Sequence, residues 1–329
     1  MHRHLVVRFL TAATLILTAH AAVATPYTSL FVLGDSLSDS GNAFVALGGR
    51  TSQPPFAPIP SLPYASGRFS NGPVWAEDLA GMLGLSATPS LLGGSDYAFG
   101  GARTGPAGSI PPSLLDQSQT LLAAYPGGLP HNALYVVWGG SNDVRDAATS
   151  ANPLAALKTA VANVGGIVQD LIGAGAGTIL VPNVPNLGLT PAAQDAGVAT
   201  DATLLSATFD TLLNSTLGGI RTLHPGTRLL GLDIFGLIDQ VTSNPGAYGL
   251  TDVTNPCLSF GQANPNLAYC SDPNHYLFWD GIHPTAAGHE IIAIAARRAV
   301  PEPGTLFLTA LGLVVLWRWT RPGPMPRAA

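Results

Sequence analysis

A three-layer α/β fold, with helices on both faces of a mostly parallel sheet of about five strands, is what this sequence predicts. Three observations carry the prediction. Short apolar runs alternate with longer segments whose apolar residues recur at helical spacing, the pattern of βαβ units. About 275 residues lie between two ends with distinctive composition, a length that suits one α/β domain. Of all 329 residues, 47% are hydrophobic and only 10% charged, so a large core is available.

The elements follow in order. Residues 30–33 read as a buried strand. Residues 73–83 read as a helix with Pro73 at its start and Glu77 and Asp78 in its early turns. Residues 133–138 form a second strand. Residues 153–174 place Leu154, Leu157, Val161, Val164, Ile167, Val168 and Leu171 at helical spacing. A strand at 178–181 stops at Pro182, a helix covers 202–223, and a strand covers 228–232. Residues 234–241 continue as a helix. Residues 244–274, rich in Asn, Pro and Gly, read as an excursion, and residues 285–298 as a last helix behind Pro284. In such sheets, active groups gather at the carboxyl ends of the strands.

The two ends are read apart from the domain of residues 25–299. Residues 1–24 combine His2, Arg3, His4 and Arg8 with an apolar stretch that ends in Ala22-Val23-Ala24. This is the pattern of a secretory signal peptide, with an uncleaved anchor as the alternative. Residues 300–329 hold Pro301-Glu302-Pro303, an apolar run over 305–317, then Arg318, Trp319 and Arg321. The run is short for a membrane span, and the arginines would favour the cytoplasmic side. The net charge is −5 with no basic cluster in the body, so nucleic acid is not an expected partner. The two cysteines, Cys257 and Cys270, stand thirteen positions apart. In an oxidising compartment such a pair reads as one disulfide, with two free thiols as the alternative. They do not make a zinc cage.

Four stretches carry candidate chemistry. In Leu33-Gly34-Asp35-Ser36-Leu37-Ser38, a serine sits on the turn after a strand, and Ser38 stands where the Gly-x-Ser-x-Gly elbow has its last glycine. In Asp280-Gly281-Ile282-His283-Pro284, one short loop delivers a general base and a carboxylate to orient it. Asp272-Pro273-Asn274-His275 has the same spacing but is set aside, because it lies in the loop-rich excursion with no strand or helix behind it. In Trp138-Gly139-Gly140-Ser141-Asn142-Asp143, the Asn142 amide is a candidate oxyanion donor. In Asp96-Tyr97-Ala98-Phe99-Gly100-Gly101-Ala102-Arg103-Thr104, a glycine amide is another. Taken singly, each stretch also reads as an ordinary turn. Phe56, Tyr64, Phe69 and Trp75 are candidates to line an acyl site, or else core residues.

Together, and in this order, the four stretches resemble the SGNH/GDSL hydrolase family. Gly67-Arg68-Phe69-Ser70-Asn71-Gly72-Pro73-Val74-Trp75 and Tyr276-Leu277-Phe278-Trp279 point to its lipase/acylhydrolase branch. The resemblance implies the flavodoxin-like SGNH-hydrolase fold. It implies a triad of Ser36, Asp280 and His283, and an oxyanion hole of Ser36, Gly101 and Asn142, with Gly100 the less favoured glycine. The implied reaction is hydrolysis of lipid or short acyl esters through an acyl-enzyme, with no metal or organic cofactor. The C-terminal segment resembles the PEP-CTERM sorting signal. That resemblance implies an exosortase as partner, transient membrane contact, and export to the periplasm, surface or matrix of a Gram-negative bacterium. A plain C-terminal anchor is the alternative there. For the domain, two other readings stay open: a carbohydrate esterase that deacetylates extracellular polysaccharide, and a non-catalytic matrix protein on the same scaffold.

Overall fold

The computed structural model describes residues 27–48, 64–106, 111–258 and 269–300. The signal-peptide, sorting-segment and Phe56 readings fall outside them.

Four parallel strands form the main sheet: β1 (Leu30–Gly34), β2 (Leu134–Trp138), β3 (Thr178–Pro182) and β4 (Arg228–Leu232), in the order β1-β2-β3-β4. The first three are buried along their whole length, which is why they read as unbroken apolar runs. β4 is an edge strand, and Arg228 and Gly231 are exposed.

The expected sheet of about five strands consists of these four and a fifth, irregular position. The place beside β1 is taken by residues 95–99, which bond to it without forming a regular strand. The Val32 amide donates to the Ser95 carbonyl, and the Tyr97 and Phe99 amides donate to the carbonyls of Val32 and Gly34. With that segment the spatial order is that of the flavodoxin-like sheet, and its switch point falls between β1 and its two neighbours.

Strand alternation divides the core in two. Phe31, Leu33, Tyr135, Val137, Ile179 and Val181 face one way. They meet α3 (Leu114–Ala124), α4 (Ser141–Ala147), α5 (Pro153–Gly173) and α7 (Ala199–Leu223). Leu30, Val32, Leu134, Val136, Trp138 and Leu180 face the other way. They meet α2 (Trp75–Met82), α8 (Ile234–Ser243) and α9 (Ala286–Ala299). Each large apolar side chain buried in these layers contributes roughly 1.5–3 kcal/mol.

Several short elements were not legible as periodic patterns: α1 (Asn42–Ala46), α3, α4 and α6 (Pro191–Asp195). The described part of the excursion also holds regular structure. It contributes β5 (Asp252–Pro256), which pairs in parallel with β6 (Tyr276–Phe278). Cys257 and Cys270 are joined by a disulfide just beyond β5. The main-sheet strands and long helices otherwise lie within a few residues of the expected positions.

Candidate active site

β1 delivers Ser36 two residues past its end, and β2 delivers Asn142 four residues past its own. Gly34 and Trp138 are register partners, so both chains leave the sheet at the same level. After β2 the chain turns sharply through Gly140, whose φ of +119° is strained for any other residue. A Cβ there would also collide with the Phe209 ring. Ser38, at the position that departs from the glycine elbow, accepts a hydrogen bond from the Trp75 indole at 3.0 Å. The turn that carries Ser36 is thereby tied to α2.

The loop between β6 and α9 supplies the other two residues. His283 Nε2 lies 2.8 Å from Ser36 Oγ, across 247 positions of chain. His283 Nδ1 lies 2.7 Å from Asp280 Oδ2. The Asp280 and His283 side chains are only 8% and 10% exposed. The pair of equal spacing, Asp272 and His275, is also joined at 2.7 Å, but its side chains are 58% and 50% exposed. Contrary to the reason for setting it aside, that pair does lead into a strand, β6. Burial and the contact with Ser36 separate the two pairs, not local secondary structure.

Asp280 is more completely bonded than the sequence indicates. Its Oδ1 accepts the amides of Ile282 and His283, both at 2.8 Å. Its Oδ2 also accepts the Tyr64 hydroxyl at 2.7 Å. Burial alone would raise its pKa. The charge and hydrogen bond of His283, the Ile282 amide and Tyr64 outweigh that and hold it at about 2. Burial and the Asp280 charge push the Tyr64 phenol far up, so it remains a donor.

The glycine motif and the asparagine motif are clamped together. Asn142 Nδ2 donates to the Ala102 carbonyl at 2.9 Å. The Asp143 carboxylate accepts the Thr104 amide at 3.0 Å and its hydroxyl at 2.8 Å, and Arg103 pairs with Asp146 at 2.8 Å. An Asn amide has two N–H donors, so one remains for a ligand. Gly100 is not the available glycine: its amide donates to buried Asp39 at 2.8 Å. That leaves the next amide, on Gly101, where φ is +80°.

A cavity of about 240 Å³ opens beside Ser36, Asn142 and His283. Its walls are mainly aliphatic, among them Leu37, Val144, Leu187, Ala193 and Leu205. The three aromatic residues considered for such a lining that are among the described residues do not provide it. Tyr64 binds Asp280, Trp75 is a core residue, and the Phe69 ring packs 5.3 Å from the His283 ring. The aliphatic liners on the helical side carried no separate signal, because helical spacing marks them only as packing residues.

The stretch 67–75 braces the histidine loop. Ser70 Oγ donates to the Pro284 carbonyl at 2.9 Å, and Asn71 Oδ1 accepts the Ala286 amide at 2.8 Å. Thr285 caps α9 by accepting the Gly288 amide at 3.1 Å.

A serine, a histidine and a carboxylate joined in series at the carboxyl end of a parallel sheet is the arrangement that serine hydrolases use. The chain belongs to the GDSL-like lipase/acylhydrolase family, whose model matches residues 30–296. It is 31% identical to "Esterase EstA" of Pseudomonas aeruginosa over 327 aligned residues, which cover 88% of this chain and 49% of that protein. It is 26% identical to a GDSL esterase/lipase of Arabidopsis thaliana, over 82% of this chain and 88% of the other. The chain spans about half the length of the curated bacterial esterase it matches. Among solved structures, it resembles the acetylxylan esterase Axe2 of Geobacillus stearothermophilus, at 16% identity and a TM-score of 0.41, over 84% of this chain and 95% of that one. It also resembles Est24, a carbohydrate acetylesterase from Sinorhizobium meliloti, at 16% identity and a TM-score of 0.42, over 86% and 99%.

Proposed function

We propose that this chain is an exported serine esterase that hydrolyses carboxylic esters through an acyl-enzyme. The observation that carries the reading is the buried series Ser36–His283–Asp280, with contacts of 2.8 and 2.7 Å. His283 Nε2 takes the hydroxyl proton as Ser36 Oγ attacks the ester carbonyl. Asp280 holds the ring so that Nε2 faces the serine, and stabilises the imidazolium. The amides of Ser36 and Gly101 and the free N–H of Asn142 receive the oxyanion. The tetrahedral species expels the alcohol, which takes its proton from His283. Water, deprotonated by the same nitrogen, then releases the acid and restores Ser36. No metal or organic cofactor enters these steps.

The aliphatic cavity favours an acyl chain longer than acetyl, and so favours a lipid-type or short-acyl esterase over a polysaccharide deacetylase. Export is part of the same reading. It is supported by the disulfide, which suits an oxidising compartment, and by the leader-like and PEP-CTERM-like sequences. An exosortase-type enzyme is the partner that the latter sequence implies.

The test is a series of p-nitrophenyl esters of increasing acyl length, assayed with the wild type and with Ser36→Ala, His283→Ala and the double variant. Each single change should reduce kcat by about 10⁴-fold or more, and the double change should cost little further, because the residues act as a unit. Undiminished turnover by folded Ser36→Ala would refute the mechanism. Activity confined to the acetyl ester would refute the acyl preference.

A further inference from the structure

The cavity beside Ser36 has one cationic residue in its wall, Arg145 of α4. It follows Asn142 by three positions, so the two side chains share a helix face. Arg145 is exposed, whereas Val144 and Ala193 in the same cavity are buried. The cation therefore stands at the rim and aliphatic groups form the floor.

Arg145 also differs from three other arginines of the domain. Arg68 is paired with Glu77, Arg103 with Asp146, and Arg221 donates to the Leu229 carbonyl. Among the described residues, Arg145 has neither a hydrogen bond nor an ion pair. Its charge is nevertheless felt inside the site. Burial raises the pKa of Asp35, at the base of the nucleophile turn, to about 6, and Arg145 is one of the groups that oppose the rise. A guanidinium offers paired N–H donors that match phosphate and carboxylate oxygens, and among the described residues none accepts a hydrogen bond from this one.

We infer that Arg145 selects esters whose alcohol portion carries an anionic group, phosphate or carboxylate, a few bonds from the ester oxygen. The inference rests on the esterase reading of the same site. With the carbonyl at Ser36 and the acyl chain toward the aliphatic floor, the alcohol portion lies toward the rim. The reaction is then ordinary hydrolysis. The Ser36 Oγ–carbonyl bond forms, the carbonyl–alkoxy bond breaks, and the Ser36 proton passes through His283 to the departing alcohol. Water then cleaves the acyl-enzyme, giving a carboxylic acid and an alcohol that keeps its anionic group.

The experiment compares butyryl esters of glycerol 3-phosphate, glycerol and choline, which are anionic, neutral and cationic, in a titrimetric assay at fixed neutral pH and low salt. The full chain is used as wild type, Arg145→Lys and Arg145→Glu, with p-nitrophenyl butyrate as a reference ester. The wild type is expected to favour the anionic over the cationic ester by about tenfold or more in kcat/KM, mainly through KM. The preference should shrink in concentrated salt. Arg145→Lys should keep part of it, and Arg145→Glu should reverse it. Two results would overturn the inference while leaving the esterase reading intact: hydrolysis of the reference ester with all three butyryl esters within about twofold, or a preference unchanged in Arg145→Glu. Failure of the wild type to hydrolyse any of the four esters would overturn both.

Discussion

The Asp280 carboxylate receives four donors, and only one of them, His283 Nδ1, belongs to the proposed reaction. The two amides fix the carboxylate to its own loop. The Tyr64 hydroxyl fixes it to a segment 216 positions away. Loss of that hydroxyl leaves Oδ2 to His283 alone and loosens the geometry that keeps Nε2 on Ser36. Tyr64→Phe should therefore lower kcat by about tenfold with little change in KM, as expected for a hydrogen bond to a charged group. Steady-state kinetics on the folded variant check this; an unchanged kcat would show that the amides suffice. The pKa of about 2 also fixes a sign. Because the folded value lies below the unfolded one of about 3.9, the stability that Asp280 contributes is present above that unfolded value and is lost as pH falls toward 2.

The loop that carries Asp280 and His283 depends on a small element packed behind it. The Cys257 amide donates to the Phe278 carbonyl at 2.9 Å, and the Leu258 amide donates to the Trp279 carbonyl at 2.6 Å. Cys257, Leu258, Tyr64 and Trp279 form one buried cluster, with Cys270 against it. The disulfide thus closes a loop whose near end is bonded directly to the strand before Asp280. Closing a loop of this size restricts the unfolded chain by about 3 kcal/mol. Cys257→Ala/Cys270→Ala should lower the melting temperature by roughly 5–10 °C, since a domain of this size loses a few degrees per kcal/mol. It should also lower kcat at temperatures where the protein is still folded, because the pairing that holds residues 278–279 weakens. Calorimetry and kinetics on the same preparation check both parts. A variant with wild-type melting temperature and wild-type kcat would exclude the bracing role.

Across the whole molecule, the layer that holds α9 against the sheet contains one polar residue out of keeping with it. His289 is fully buried, and neither ring nitrogen meets a hydrogen-bond partner. Burial, with a smaller contribution from the charge of His283, pushes its pKa down to about 3. The folded protein therefore keeps this ring neutral, while the unfolded chain protonates it below about pH 6.5. The unfolded state binds more protons between about pH 6.5 and 3, so stability is lost as pH falls through that window. His289→Leu should be more stable than the wild type by about 1–3 kcal/mol at pH 7, since two unsatisfied polar atoms are removed. Its advantage should grow by about 1.4 kcal/mol for each pH unit below 6.5. Urea unfolding at pH 7 and pH 5 measures the difference, and an advantage equal at both values would contradict the buried-neutral assignment.

The layers, the main strands and the candidate groups are legible in the chain's local patterns. Runs such as Leu30–Gly34 and Leu134–Trp138 are apolar on both faces because the strands are covered on both sides, and that demand is written residue by residue. The helices that cover them are long enough to show their period, as in Pro153–Gly173. Ser36, Asn142 and His283 were legible because each stands in a short motif just beyond a strand or before a helix. Four helices were not: α1, α4 and α6 are only one or two turns long, too brief to display a period, and the 11-residue α3 buries the polar Gln117 and Ser118 on the face that would show one. Nor was the fifth position of the sheet, which residues 95–99 fill through backbone bonds that any side chain permits. Tertiary structure separates the two Asp-x-x-His pairs of equal spacing by burial and by the contact of His283 with Ser36. It likewise decided that Gly100 is committed to Asp39, that Tyr64 completes the carboxylate, and that Arg145, at the rim of the cavity, makes no hydrogen bond or ion pair among the described residues. These are meetings between residues far apart in the chain. They depend on where the layers bring them, and no local pattern records that.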